Sequence, residues 1–316
     1  MASITFEEKA QSSLQTRRVV IFLAFTFGIA WATGLVIYLT GGLTNSPVLI
    51  PKTSITLALV LLATIYMWAP TLGHILTRLL THEGFHDLFL RLKFRQGWRF
   101  WLAAWFIPGI LTLLGILVYF AVFPGQFDPR FTTLQQGLNN AASASGRALP
   151  ITVQIYFLIQ FFTALILSPI LNCLAVFGEE FGWRAYLQPK LMPLGARKAL
   201  LITGLIWGVW HWPVIFMGYE YGFGYWGAPV VGPLLFLFFT VALAIFFGWL
   251  VLRAGSIWPS VIGHGAINGI AGLGLIAMAG KPNMLLGPAP DGLLGGLPLI
   301  LLAAFLILNR KALAVS

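Results

Sequence analysis

Three short groups of polar residues interrupt strongly apolar stretches in the second half of the chain. Residues 178–184 contain two adjacent carboxylates, residues 207–213 contain a histidine between tryptophans, and residues 264–268 contain a histidine and an asparagine. Carboxylate, imidazole and carboxamide groups can act as acids, bases, hydrogen-bond donors or metal ligands. Inside a bilayer an ionisable side chain costs about 2.5–3.5 kcal/mol, so each group is a candidate functional site.

In the first group, Glu179 and Glu180 cannot share one role, because adjacent residues on a helix point about 100° apart. Glu180 and Arg184 are four residues apart, lie on one helix face and can form an ion pair. Glu179 projects elsewhere and can therefore face a cavity. A cluster of charges at the membrane interface, where a span ends, is the alternative interpretation.

The second and third groups each place a histidine within an apolar helix. His211 is followed by Pro213, which lacks an N–H group and predicts a kink that can widen a pocket. His264 and Asn268 are four residues apart, so their side chains face the same space. Alternatively, His211 is a packing residue beside tryptophans that anchor the membrane interface, and His264 makes an interhelical hydrogen bond.

The elements that position these groups are predicted to be membrane helices. The chain has 316 residues, of which 59% are apolar and 9% are charged, and its mean hydropathy of +0.88 excludes an ordinary soluble enzyme. A helix needs about 20 apolar residues to cross a bilayer. We therefore predict an all-α, polytopic membrane protein with a single transmembrane domain, residues 1–316. Its eight predicted spans are residues 19–40, 55–78, 100–123, 155–178, 199–217, 230–252, 256–279 and 294–309.

The charge balance predicts the orientation of these spans. The chain carries 19 lysines and arginines against 9 acidic residues, an excess that in membrane proteins usually lies in cytoplasmic loops rather than on a nucleic-acid surface. With eight spans and a cytoplasmic N terminus, 15 basic residues fall inside and four outside. The four outside are Lys52, Arg130, Arg147 and Lys281. We therefore expect both termini to be cytoplasmic.

The predicted spans can bring the three polar groups together. The fifth and seventh spans run in the same direction and place His211 and His264 at similar depths. The fourth span ends on the same side with Glu179, at a shallower depth than His211. This difference disappears if the helix continues through Arg184 and bends near Pro169. The three groups then meet in one cavity that opens to the cytoplasm.

The three groups resemble the motifs of the CAAX protease and bacteriocin-processing (CPBP, or Abi) family of intramembrane glutamic endopeptidases. The matching patterns are Glu179-Glu180-x-x-x-Arg184, Trp207-x-x-x-His211 and His264-x-x-x-Asn268. Their order and spacing on successive apolar segments are specific, and the resemblance covers a motif core of residues 158–271. Trp207 stands where the family more often has phenylalanine, a change that leaves the histidine unaltered.

The resemblance implies proteolysis within the membrane. On this likeness, Glu179 is the general base that activates water, and His211 orients or shares the proton. His264 and Asn268 form the oxyanion hole. The supporting residues are Glu180, Arg184 and Trp207.

Other chemistries remain open on the same residues. A zinc-dependent protease would use Glu179, His211 and His264 as metal ligands. A metal-free glutamate mechanism without a cofactor is favoured, because neither histidine belongs to an HExxH motif. A proton-coupled transporter would use the same three groups as a relay. A family member without activity would instead be a membrane scaffold or an immunity protein.

The expected partners follow from the same reasoning. We expect a peptide or protein substrate with a membrane-embedded or lipidated end, the lipid bilayer itself, and no nucleic acid. Prenylated C-a-a-X proteins, bacteriocin leaders and signalling peptides all fit that description. The longest connection, residues 124–150, leaves no room for a soluble catalytic domain, and the predicted location is the bacterial plasma membrane.

Overall fold

The computed structural model describes residues 6–146 and 151–314, and the regular secondary structure of these residues is entirely helical. The predicted all-α fold class is confirmed. Arg147, one of the basic residues expected outside, does not fall in the described ranges. In chain order the helices are α1 (Phe6–Gln11), α2 (Thr16–Leu39), α3 (Leu57–Leu61), α4 (Ala69–Leu80), α5 (Phe94–Val122), α6 (Thr132–Ser145), α7 (Val153–Phe162), α8 (Ser168–Leu171), α9 (Cys173–Gly182), α10 (Gln188–Leu191), α11 (Ala196–Phe216), α12 (Val231–Ala254), α13 (Trp258–Ile270), α14 (Leu273–Ile276) and α15 (Leu297–Leu308).

Seven helical segments in the described residues are long and apolar enough to cross a bilayer. Three of them join consecutive helices, namely α3 with α4, α7 with α8 and α13 with α14. The seven segments are Thr16–Leu39, Leu57–Leu80, Phe94–Val122, Val153–Leu171, Ala196–Phe216, Val231–Ala254 and Trp258–Ile276. The protein is therefore an integral membrane protein, as predicted, while the cytoplasmic position of its termini stays a prediction.

The eighth predicted span, residues 294–309, is too short to cross alone. Helix α15 has 12 residues and extends about 18 Å, whereas the hydrocarbon core is about 30 Å thick. The residues directly before the helix are not helical, because Gly295 and Gly296 lie in a turn that packs closely against Ala289 and Pro290. A Cβ at Gly295 would lie only 2.1 Å from the carbonyl oxygen of Ala289.

The fourth predicted span, residues 155–178, is interrupted. A π-helical turn, Thr163–Leu167, separates α7 from α8, and Asn172 separates α8 from α9. Pro169 cannot donate to Leu165, whose carbonyl accepts a hydrogen bond from the Trp105 indole instead, at 3.2 Å. The chain then continues as helix through residue 191, and residues 178–192 are all buried. The first polar group thus lies inside the protein rather than at an interfacial helix end.

Pairs of glycines four residues apart bring the helices that carry the polar groups close to their neighbours. A Cβ at Gly182 would lie 2.4 Å from Pro70 Cβ in α4, and one at Gly265 would lie 2.7 Å from the Pro169 carbonyl oxygen in α8. Small residues at this spacing allow helix backbones to approach within a membrane, where packing drives association. The three pairs are Gly178 with Gly182, Gly204 with Gly208, and Gly265 with Gly269.

A buried ion cluster fastens α10 to the loop that follows α4. Lys190 in α10 contacts Glu83, and Asp87 Oδ1 lies 3.3 Å from Arg78 Nη2. Asp87 also pairs with Lys9 of α1, at 2.5 Å. Although burial opposes ionisation, Lys190 lowers the pKa of Glu83 and Lys9 lowers that of Asp87, while burial lowers the pKa of Lys190 to about 8. These charges hold the segment that follows the first polar group in place.

Candidate active site

Glu179 is enclosed by protein and held by one specific hydrogen bond. The indole Nε1–H of Trp207 in α11 donates to Glu179 Oε2, with 2.7 Å between the two atoms. The two residues are 3% and 1% exposed. Glu179 also lines a cavity, so its second carboxylate oxygen can meet a water molecule there.

Glu180 does not line that cavity and contacts Arg184 and His264 instead. Its Oε1 lies 3.2 Å from Arg184 Nη1 and 3.0 Å from His264 Nδ1. Arg184 stabilises the ionised carboxylate, which can only accept hydrogen bonds, so His264 donates through Nδ1–H. The His264 ring therefore presents Nε2 on its other side, towards the cavity that it lines.

His211 is oriented by its own helix. Its Nδ1 lies 2.9 Å from the carbonyl oxygen of Trp207, which can only accept, so Nδ1 carries the hydrogen. This fixes the tautomer and leaves Nε2 as the nitrogen available to the cavity. Nε2 then carries a lone pair and can accept a hydrogen bond or a proton from water.

Trp207 lies at the centre of these groups. The centroid of its ring is 5.9 Å from that of His211 and 5.3 Å from that of His264. The Arg184 guanidinium stacks over the same ring, 4.5 Å from its centroid, in a buried cation–π contact. A residue expected only to support the site thus contacts Glu179, Arg184 and both histidines.

The structure places the candidate residues around one cavity of about 240 Å³. Its volume exceeds the space that one bound water requires. It runs from α9 to the loop after α11, and Glu180 and Arg184 lie behind its wall rather than on it. The residues predicted from the three motifs that line it are Glu179, Trp207, His211, His264 and Asn268.

Several residues that position or line the site escaped the sequence interpretation. Asn172, at the break between α8 and α9, donates from Nδ2 to the carbonyl oxygen of Gly265, 3.0 Å away, and so fixes α13. Tyr66, at the end of a π-helical turn, lines the cavity and donates to the Trp210 carbonyl at 2.6 Å. Such turns are frequent at functional sites, but they leave no pattern in the sequence. Glu220 also lines the cavity and comes from a loop with no motif.

The arrangement does not fit the zinc alternative. Within residues 6–146 and 151–314, no three His, Cys, Asp or Glu side chains are grouped so that they could hold a metal ion. The proposed ligand set of Glu179, His211 and His264 is therefore not a formed metal site, although each histidine has a hydrogen bond at Nδ1 of the kind that often orients metal ligands.

Comparison with known proteins agrees with the motifs. Residues 155–270, or 116 of the 316 residues, match the family model described as type II CAAX prenyl endopeptidase Rce1-like. This segment is Rce1-like. A protein named CAAX prenyl protease 2 from Methanococcus maripaludis is 31% identical over 97 residues. The resemblance inferred from the motifs is thereby confirmed.

The Rce1-like segment contains every residue of the three motifs. The similarity to the archaeal protein covers 30% of this chain and 36% of that relative, so the chain spans about a third of the length of the curated protein it matches. Helices α1 to α6, α14 and α15 lie outside the Rce1-like segment.

Proposed function

We propose that the chain is an intramembrane endopeptidase that hydrolyses a peptide bond with water activated by Glu179. One observation carries the proposal: the carboxylate, the two imidazoles and the carboxamide of the motifs all line the same cavity. Support also comes from the Rce1-like segment and from the seven apolar helical segments, four of which lie wholly or partly within it.

The first step is the attack of water on the peptide carbonyl. Glu179 takes one proton from the water, and Trp207 holds the Oε2 atom while the other oxygen faces the water. His211 Nε2 accepts a hydrogen bond from the same water molecule. This bond directs the lone pair of the water oxygen towards the scissile carbonyl carbon. A positioned general base typically contributes about 10²- to 10⁴-fold in rate.

The second step is stabilisation of the oxyanion. The Asn268 amide donates to the oxyanion, and His264 donates to it through Nε2–H while its Nδ1–H binds Glu180. The oxyanion then reforms the carbonyl as the C–N bond breaks, and the proton held by Glu179 passes to the leaving amine.

The substrate is proposed to be a peptide or protein with a membrane-embedded or lipidated end. The cavity lies among membrane helices, so a substrate anchored in lipid reaches it without crossing a soluble domain. We further propose that the protein functions in a bacterial plasma membrane with a cytoplasmic N terminus, on the basis of its basic loops. A cytoplasmic C terminus, as expected from eight spans, would require α15 and the loop before it to complete an eighth crossing.

The test is cleavage of a lipidated peptide by the purified protein in liposomes. We expect Glu179→Gln to lose at least about 10²-fold in kcat. Glu7→Gln, which changes an exposed glutamate in α1, is the matched control and should cleave normally. Cleavage by Glu179→Gln at the parent rate would refute the general base, and proton-coupled uptake without any cleavage would favour the transporter.

The metal-free mechanism has its own test. Activity should survive extensive dialysis against a chelator, because no step uses a metal. Loss of activity that zinc alone restores would support the metalloprotease alternative with Glu179, His211 and His264 as ligands.

A further inference from the structure

We infer that Trp207 is a positioning residue, which fixes the catalytic carboxylate through its indole N–H; this inference rests on the proposed function. The side chain of Trp207 binds Glu179 Oε2 at 2.7 Å, and its carbonyl oxygen accepts from His211 Nδ1 at 2.9 Å. One residue therefore sets the orientation of both groups that would activate the water.

The hydrogen bond from Trp207 to Glu179 can orient the carboxylate because it lies in the protein interior. Both partners are nearly fully buried, and hydrogen bonds to a charged acceptor are shorter and about twice as strong as neutral ones. With Oε2 occupied by the indole, only the second oxygen is left to take a proton from water. The indole also stabilises the ionised carboxylate, which is the form a base must have.

The residue type is informative. A phenylalanine at position 207 could keep the ring contacts to Arg184 and the histidines, but it has no N–H to donate. Among the aromatic side chains that fill this space with a large ring, the tryptophan thus adds a hydrogen bond to the base that a phenylalanine cannot make.

The same helix offers a matched control. Trp210 is also 1% exposed, lines the same cavity and packs against His211 at 4.6 Å between ring centroids. Unlike Trp207, its buried Nε1 has no hydrogen-bond partner among the residues that the structure describes. Trp210→Phe therefore removes the same atoms as Trp207→Phe without removing a hydrogen bond.

The experiment compares the two variants in peptide cleavage across a range of pH. We expect Trp207→Phe to lower kcat by about 10- to 100-fold with KM changed less than about twofold, the size expected for a bond to a charged group. The acid side of its pH–kcat profile should move to higher pH, because the carboxylate then binds its proton more readily. Trp210→Phe can alter kcat through its packing on His211, but it should leave the acid side of the profile at the pH of the parent protein, because it removes no hydrogen bond to Glu179. An unshifted profile and parent-like kcat for Trp207→Phe would overturn the inference.

Two further measurements test the hydrogen bond between Trp207 and Glu179. If Trp207→Phe does not fold, β-(3-benzothienyl)alanine at position 207 keeps the shape of the indole and replaces only its N–H with sulfur, and it should give the same shift. If the parent protein cleaves no peptide, the proposed function fails separately. A thermal double-mutant cycle of Trp207→Phe with Glu179→Leu, which has no acceptor for the indole N–H, then decides whether the bond exists, and additive Tm shifts would overturn it.

Discussion

Replacing Glu180 with glutamine tests whether the buried charges behind the cavity are held as a pair. Glu180 and Arg184 are both 0% exposed, and the closest carboxylate and guanidinium atoms are 3.2 Å apart. At that distance their attraction is about 5 kcal/mol in an effective dielectric of about 20. Glu180→Gln keeps the shape of the side chain but leaves the Arg184 charge buried without its neighbour.

We expect Glu180→Gln to lower the free energy of unfolding by about 3–5 kcal/mol, the usual cost of stranding one member of a buried pair. Removing both charges should behave differently. The double variant Glu180→Leu with Arg184→Met replaces the pair with apolar groups of similar size and should recover most of that loss. Its activity should nevertheless stay about 10²- to 10³-fold low, because His264 no longer has the acceptor that orients its ring.

The assay is denaturant unfolding of the purified protein in detergent, with cleavage measured in liposomes on the same samples. Glu7→Gln serves as the control for loss of one negative charge at an exposed position. A loss below about 1 kcal/mol for Glu180→Gln would refute the reasoning, since only solvent-screened pairs contribute so little. Full activity in the double variant would show that Glu180 does not orient His264.

Two further outcomes follow from packing and from titration. Gly182→Ala should lower the free energy of unfolding by about 1–3 kcal/mol in a thermal assay, because its Cβ would lie 2.5 Å from the Pro70 backbone. Gly28→Ala is the control and should not lower it, because no atom lies within 4 Å of the added Cβ. Equal effects of the two substitutions would contradict this. Burial raises the pKa of Asp291, so the folded protein holds this side chain in its neutral form. The free energy of unfolding should therefore fall as the pH rises from about 4, where a free aspartate titrates, towards neutral. Asp291→Asn should flatten this decline by at least about 1.4 kcal/mol, the equivalent of one pKa unit, and an unchanged pH dependence of unfolding would contradict the assignment.

Hydropathy alone predicted seven of the membrane segments, because burying apolar side chains in lipid requires long helices with little charge. It failed for residues 294–309, where apolar composition continues but the backbone turns at Gly295 and Gly296 before α15 begins. Composition cannot distinguish a full span from a short helix that packs against other helices, such as α12. The difference depends on tertiary contacts of the preceding loop.

The candidate site was predictable where spacing fixes direction. The four-residue spacing of Glu180 and Arg184 predicted an ion pair, and that of His264 and Asn268 predicted a shared face; both geometries are present. The hydrogen bond from Trp207 to Glu179 was not predictable, because it joins α11 to α9 across 28 positions of sequence. The interpretation of Trp207 as a supporting aromatic ring missed its indole N–H, which donates to Glu179.

The glycine pairs explain why the fold and the candidate site are difficult to separate. Gly178 and Gly182 flank the two glutamates, Gly208 follows Trp207 directly, and Gly265 follows His264 directly. Each glycine lets its helix approach a neighbour within a distance that a side chain would prevent, and the adjacent polar residue then projects at a fixed depth and angle. Hydrogen bonds as short as 2.7 Å between different helices require such fixed backbones. Larger residues at these glycines should therefore disturb the geometry of the cavity before they unfold the protein.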